Sequence, residues 1–233
     1  MLEIEDVCVA YGEARVLDHV SMRVREGEVV ALLGRNGMGK TSLVRSVMGL
    51  GSPRVTEGRI RLDGKDLVGL RSNQIANRRI GYVPQGRRLF ASLTVLEHLN
   101  MLDRGRPGAW TVRRVFDAFP RLEERKGHRG NQLSGGERQM LAIGRALMTG
   151  PRIILMDEPT EGLAPVMVEI VEGILSALRR DGLGVLLVEQ NLYSALAVAD
   201  RVCIFETGRV VWDGTPAELT GQQELLERHL GIH

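Results

Sequence analysis

A chain of 233 residues with 43% hydrophobic and 26% charged side chains can bury a full core as one large domain, without disulfide staples. Its net charge of +2 is too small for the electrostatic footprint of a nucleic-acid partner, and the basic stretches Arg78-Arg79, Arg87-Arg88 and 104–114 lack repeated interleaved aromatics, so no direct nucleic-acid contact is expected. The two cysteines, Cys8 and Cys203, sit in apolar runs and read as buried free thiols, which leaves no zinc site, and no run reaches the ~18 apolar residues of a membrane span.

In chain order, residues 2–10 and 27–33 read as strands, the second running directly into a glycine-rich loop. Residues 41–49 follow as a helix, with Leu43, Val44 and Val47 as apolar positions before Gly49 and Gly51 stop it. Residues 79–83 form another strand-like run that leads to Pro84-Gln85. From 89 to 126 the pattern is mostly helical, with a break across 104–108; together with a helix at 137–147 it predicts a helical subdomain, 89–147, inserted in an α/β core. Strand 153–156, helix 166–180, strand 184–188 and helix 192–199 then alternate, which favours a largely parallel, buried sheet with flanking helices. A hairpin pairs 201–205 with 209–212 around Thr207-Gly208, and Pro216 opens the terminal helices. The expected architecture is one α/β domain over 1–233, with an amino-terminal β region.

The segment Gly34-Arg35-Asn36-Gly37-Met38-Gly39-Lys40-Thr41 has the spacing G-x-x-x-x-G-K-T between a strand and a helix. Gly34, Gly37 and Gly39 let the backbone close around phosphate oxygens, and successive amides, those of Arg35, Asn36 and Met38 included, offer donors at a helix start. Lys40 is placed to bridge β and γ phosphates, and the Thr41 hydroxyl to ligate magnesium. A buried strand ending in Asp157-Glu158 supplies the complement: Asp157 supports the magnesium shell, directly or through water, and Glu158 orients or activates the attacking water. ATP and Mg2+ are therefore the expected ligands, and the core is that of a P-loop nucleoside triphosphate hydrolase.

Leu133-Ser134-Gly135-Gly136-Glu137, lying between the phosphate loop and the carboxylate strand, resembles the signature of the ATP-binding cassette (ABC) family, and the resemblance spans residues 1–220. It implies a head-to-tail dimer in which each ATP lies between one chain's phosphate loop and the other chain's Ser134, Gly135 and Gly136; read alone, the same residues also suit a helix cap. By the same resemblance Tyr11 stacks on adenine, with turn packing as the alternative, and Gln85 contacts magnesium or water. Residues 161–164 match a loop that crosses the dimer interface, although Leu163 is followed by Ala164 where the family has aspartate. Gln190 stands where the family commonly has a histidine on the γ-phosphate; an amide can donate there but cannot act as a general base.

Within the family, residues 86–90, 160–165 and 188–191 are most similar to the smaller ATPase subunits of importers for branched-chain amino acids and related amides or urea. This implies an ATP-hydrolysing importer subunit with a second ATPase subunit, identical or paralogous. The further partners implied are separately encoded transmembrane permease subunits and an external substrate-binding protein, with the chain held at the cytoplasmic face of the membrane through the permease. A soluble, non-transport cassette ATPase and an ATP-binding switch without hydrolysis stay open as alternatives.

Overall fold

The computed structural model describes residues 1–103, 105 and 108–231, so Arg104, Arg106 and Pro107 of the expected break lie outside the described residues. Strands β1 (Leu2–Tyr11) and β2 (Ala14–Val24) form an antiparallel pair, and β3 (Val29–Leu33) runs into helix α1 (Lys40–Val47). Strands β4 (Arg54–Leu62) and β5 (Lys65–Asp66) join the first pair, giving an antiparallel sheet in the order β2-β1-β4-β5. Helix α2 (Ser72–Asn77) leads to β6 (Ile80–Val83), and helices α3 (Val95–Asn100), α4 (Val112–Ala118), α5 (Pro120–Glu124) and α6 (Gly135–Leu147) follow. The chain then alternates: β7 (Ile153–Asp157), α7 (Pro165–Arg180), β8 (Gly184–Glu189), α8 (Leu192–Val198), β9 (Arg201–Glu206) and β10 (Arg209–Gly214), closing with α9 (Pro216–Thr220) and α10 (Gln223–Leu230).

The second sheet has the order β10-β9-β3-β8-β7-β6, parallel from β9 to β6, with β10 antiparallel at its edge. Every residue of β3, β7 and β8 is buried, which accounts for their unbroken apolar runs: a parallel sheet is covered on both faces. One face packs with α1 against the antiparallel sheet, through Leu32, Leu155, Leu186, Leu43, Val44 and Val20. The other face meets the helices, where Ile154, Met156 and Leu187 pack with Leu141, Leu147, Leu175 and Leu178. Helix α1 thus lies in the interior, between two sheets.

The parallel core, the hairpin at Thr207-Gly208 and the two buried free thiols agree with the sequence reading. Three features differ. Strands β2 and β4, not read as separate elements, follow a disturbed alternation: β1 is bulged against both neighbours, and most of β4 is solvent-exposed and polar. The helical stretch 89–126 is three short helices, each opened by its own start signal: Thr94 and Thr111 accept from backbone amides three residues on, and Pro120 begins α5. Helix α6 starts at Gly135, two residues before the expected 137, because Ser134 and Glu137 form a reciprocal cap, with Ser134 N–H donating to Glu137 Oε2 at 2.8 Å.

Candidate active site

Four segments of the parallel sheet converge on one end of it. The loop after β3 delivers residues 34–41, the end of β7 delivers Asp157 and Glu158, the end of β8 delivers Glu189 and Gln190, and the segment after β6 delivers Gln85. Ligand crevices in open α/β sheets lie at the carboxyl ends of the strands, and here a groove of ≈ 770 Å³ opens there. Its walls include Tyr11, Asn36 through Thr41, Gln85 and Glu158.

The phosphate loop owes its shape to tight quarters. Gly39 has φ 104°, and a Cβ there would lie 2.9 Å from Leu17 Cδ2 and 3.1 Å from the Val16 carbonyl oxygen. The loop is braced from outside by the hairpin turn: Gly208 N–H donates to Met38 O at 2.9 Å, and Asp18 N–H donates to Gly208 O at 2.9 Å. Arg15, Asp18, Thr207 and Gly208 therefore border the groove. The sequence reading identified the hairpin without its position; no local pattern states that a turn near the end of the chain packs on a loop near its beginning.

Lys40 is only 4% exposed. Its Nζ donates to Gly34 O at 2.6 Å and Arg35 O at 2.9 Å, and lies 3.8 Å from Glu158 Oε1. Burial lowers its pKa from the ordinary lysine value, while Glu158, Asp157 and Glu189 act in the opposite direction. Thr41 Oγ1 donates to Asp157 Oδ1 at 3.1 Å. The other oxygen, Asp157 Oδ2, is buried with no hydrogen-bond partner among the described residues. An acceptor so placed, beside a hydroxyl and next to a phosphate loop, is the donor set a hard divalent cation requires, so these residues fit magnesium.

Burial pushes the Asp157 carboxyl up to about 6, the Thr41 hydrogen bond opposing and the neighbouring Glu158 adding to the rise. The linkage has a definite sign. The unfolded carboxyl ionises near 3.8 and the folded one near 6, so stability is lost as pH rises through that interval. Above it the ionised form costs up to about 3 kcal/mol. Asp157→Asn, which keeps an oxygen for Thr41, is therefore expected to raise the melting temperature at pH 7.5 in the absence of nucleotide and divalent cation, with the gain vanishing toward pH 4. Thermal unfolding of both proteins from pH 4 to 8 checks this; equal melting temperatures at pH 7.5 contradict it.

Glu158 sits at φ 50°, in the left-handed region, with its N–H donating to Val188 O at 2.9 Å. Two amides hold its carboxylate: Gln85 Nε2 donates to Oε2 at 2.8 Å and Gln190 Nε2 donates to Oε1 at 2.7 Å. Gln85 Nε2 also donates to Glu161 Oε2 at 2.9 Å. A glutamate in a sparsely populated backbone conformation, clamped from both sides and close to Lys40, presents an acceptor oxygen to the groove. Tyr11 is 39% exposed at the rim of the groove, with its hydroxyl 3.3 Å from Ser42 Oγ.

Ser134, Gly135 and Gly136 do not border this groove. Ser134 caps α6, and a Cβ on Gly136 would press into the Met167 side chain of α7. The sequence-identified groups are thus divided in one chain between a Lys40 groove and a separate Ser134 surface. Sequence reasoning missed Glu189, which is 2% exposed and accepts from Thr160 Oγ1 at 2.7 Å. Its signals were a glutamate ending an apolar strand and its place in the segment 188–191 that carries the importer resemblance.

The family model described as ABC transporter matches residues 17–161. Over 99% of this chain and the whole of the other, the sequence is 43% identical to the high-affinity branched-chain amino acid transport ATP-binding protein BraG of Pseudomonas aeruginosa. It is 36% identical to the lipopolysaccharide export system ATP-binding protein LptB of Escherichia coli, over 99% of this chain and 97% of that protein. Among solved structures, a dimeric ATP-binding cassette in a post-hydrolysis state with ADP and phosphate bound superposes with a TM-score of 0.80, at 29% identity, over 93% of this chain and 99% of that one.

Proposed function

The chain belongs to the ABC transporter family as an ATP-hydrolysing subunit, and from that membership we propose that it powers an importer for branched-chain amino acids or closely related amino acids and amides. The observation that carries the cargo reading is the 43% identity, end to end, with a branched-chain amino acid subunit. In this reading two such chains close head to tail around ATP, with Ser134, Gly135 and Gly136 of one completing the Lys40 groove of the other. The division of these groups between two surfaces of one chain supports it.

Each site residue takes a role that its surroundings allow. The amides of 34–41 and the Lys40 ammonium hold the phosphates, and Tyr11 holds the base. Thr41 and Asp157 hold magnesium, with Gln85 nearby; the ion, when bound, neutralises phosphate charge. Glu158 accepts a proton from water as the water oxygen attacks the γ-phosphorus and the bond to the bridging oxygen breaks. Gln190, an amide within 2.7 Å of Glu158, reports on the γ-phosphate without taking a proton.

Among the described residues no helix is long and apolar enough to cross a membrane. We place the chain at the cytoplasmic face of the membrane through permease subunits, with an external protein delivering cargo. Permease contact falls to the segment 85–90 and the adjoining helices of 89–147, where Phe90 is 53% exposed. Closure of the ATPase pair shifts the permease between access states, and product release resets it.

The test is uptake by the complex. Vesicles holding the chain with its permease partners, given the external protein, are expected to accumulate leucine, isoleucine or valine from a panel of amino acids and amides, only with internal ATP. Absence of uptake across the panel by a complex that hydrolyses ATP rejects an importer of this class, and ATP-driven extraction of lipid from the same vesicles identifies an exporter instead.

A further inference from the structure

Three consecutive residues at the end of β8 each hold a residue at the end of β7. Val188 O accepts from Glu158 N–H, the Glu189 carboxylate accepts from Thr160, and Gln190 Nε2 donates to Glu158 Oε1. The middle rung is the unusual one. Glu189 is buried, and among the described residues no cation lies within ion-pair distance of it. Its carboxyl group is met instead by donors: Thr160 N–H at 3.2 Å and Thr160 Oγ1 at 2.7 Å on Oε1, and Gln190 N–H at 3.2 Å on Oε2. Burial raises the Glu189 pKa above the usual carboxylate value, with the Thr160 and Gln190 donors acting in the opposite direction.

An apolar side chain would fill this position at the end of an apolar strand without any desolvation cost. What it could not do is tie two loops together. Thr160 lies two residues after Glu158, and Glu189 lies immediately before Gln190. The buried rung therefore fixes the backbone on which both the acceptor carboxylate and its amide partner stand. Glu189 does not itself border the groove.

We propose that Glu189 is a positioning residue for ATP hydrolysis: it bolts the loop after β7 to the loop after β8 and so sets the placement of Glu158 against Gln190. The inference rests on the reading of Glu158 as the group that accepts the proton of attacking water. It also gives Thr160 a defined part, since the Thr160 hydroxyl is the shortest contact to the carboxylate.

Glutamine at 189 keeps the shape but turns one oxygen into an NH2 group facing other donors, so Glu189→Gln breaks the pattern without opening a cavity. Thr160→Val removes the hydroxyl donor at nearly constant volume, whereas Thr160→Ser retains it. Steady-state and single-turnover hydrolysis are measured on the full chain with MgATP, together with nucleotide binding. Glu189→Gln and Thr160→Val are expected to lower kcat roughly 10- to 100-fold, the scale on which a misplaced reacting group is felt, with KM and ATP affinity within about threefold. Thr160→Ser is expected to stay within about threefold of the parent in kcat.

In single turnover, Glu189→Gln added to Glu158→Gln is expected to cost no more than Glu158→Gln alone, since it acts through the same group. Parental kcat in Glu189→Gln, equal damage by serine and valine at 160, or multiplying losses in the double variant overturn the proposal. If Glu189→Gln does not fold, the Thr160 pair decides alone. A normal rate in Glu158→Gln would instead reject the underlying reading of Glu158, a result distinct from any of these.

Discussion

Glu158→Gln is expected to bind ATP normally and to release phosphate at least ~100-fold more slowly than the parent chain. The substitution keeps the length and the planar end group, so the groove retains its shape. It removes the acceptor that can take a proton from water. It also disturbs the clamp, because Gln85 and Gln190 both donate to the carboxylate, one to each oxygen, and an amide offers only one oxygen. Lys40 loses its nearest carboxylate at 3.8 Å, but its phosphate ligand supplies more negative charge than the one removed. Binding should therefore persist while chemistry stops, and the ATP-bound pair of chains should accumulate. Nucleotide binding, mass by light scattering and phosphate release, taken on one preparation, check the three parts. Phosphate release near the parental rate removes Glu158 from the chemistry.

The second large effect comes from pairing two defective chains. Lys40→Ala removes the buried ammonium proposed above to hold the phosphates, and Ser134→Arg places a long cation on the surface that the proposed head-to-tail pair sets against the other chain's groove. Each homodimer carries its defect in both sites and is expected to fall on the order of 100-fold in turnover. In a mixed dimer of the two, one composite site collects both defects and the other keeps an intact Lys40 and an intact Ser134. ATP-dependent closure and turnover should then recover well above either homodimer. Were each site built within one chain, both sites of the mixed dimer would stay damaged. Mixed dimers purified on two different tags, with turnover compared across the three pairs, decide the matter; no recovery in a verified mixed dimer counts against shared sites.

How much of this was legible before the structure depended on the range of the interaction. The loop 34–41 and the pair Asp157-Glu158 were readable because their chemistry is written in adjacent residues, and β3 and β7 because full burial leaves unbroken apolar runs. The cap at Ser134 and Glu137 was readable at spacing three, yet its pull on the start of α6 was not used. Strand β4 was missed because its register is set by β1, on the far side of the intervening β2, β3 and α1, and not by its own polar sequence. Gln190 was legible as a departure from histidine, but its bond to Glu158 was not, since nothing in a sequence states which way an amide points. Glu189 was invisible for the same reason: three donors from two loops meet it only after the strands have paired.

Asp157 and Glu158 also make a statement about inheritance. One holds a buried oxygen without a protein partner among the described residues, and the other stands in a backbone conformation that favours glycine or asparagine. Neither position is at its stability optimum, and the two are adjacent. Random substitutions here will therefore often give sturdier proteins that turn over no ATP, the usual conflict between stability and activity. A library of this gene sorted only for heat resistance should enrich the substitutions Asp157→Asn and Glu158→Gly, while a library sorted for growth on the transported nutrient should exclude both. A copy of the chain released from the demand for ATP turnover should lose the dipeptide early.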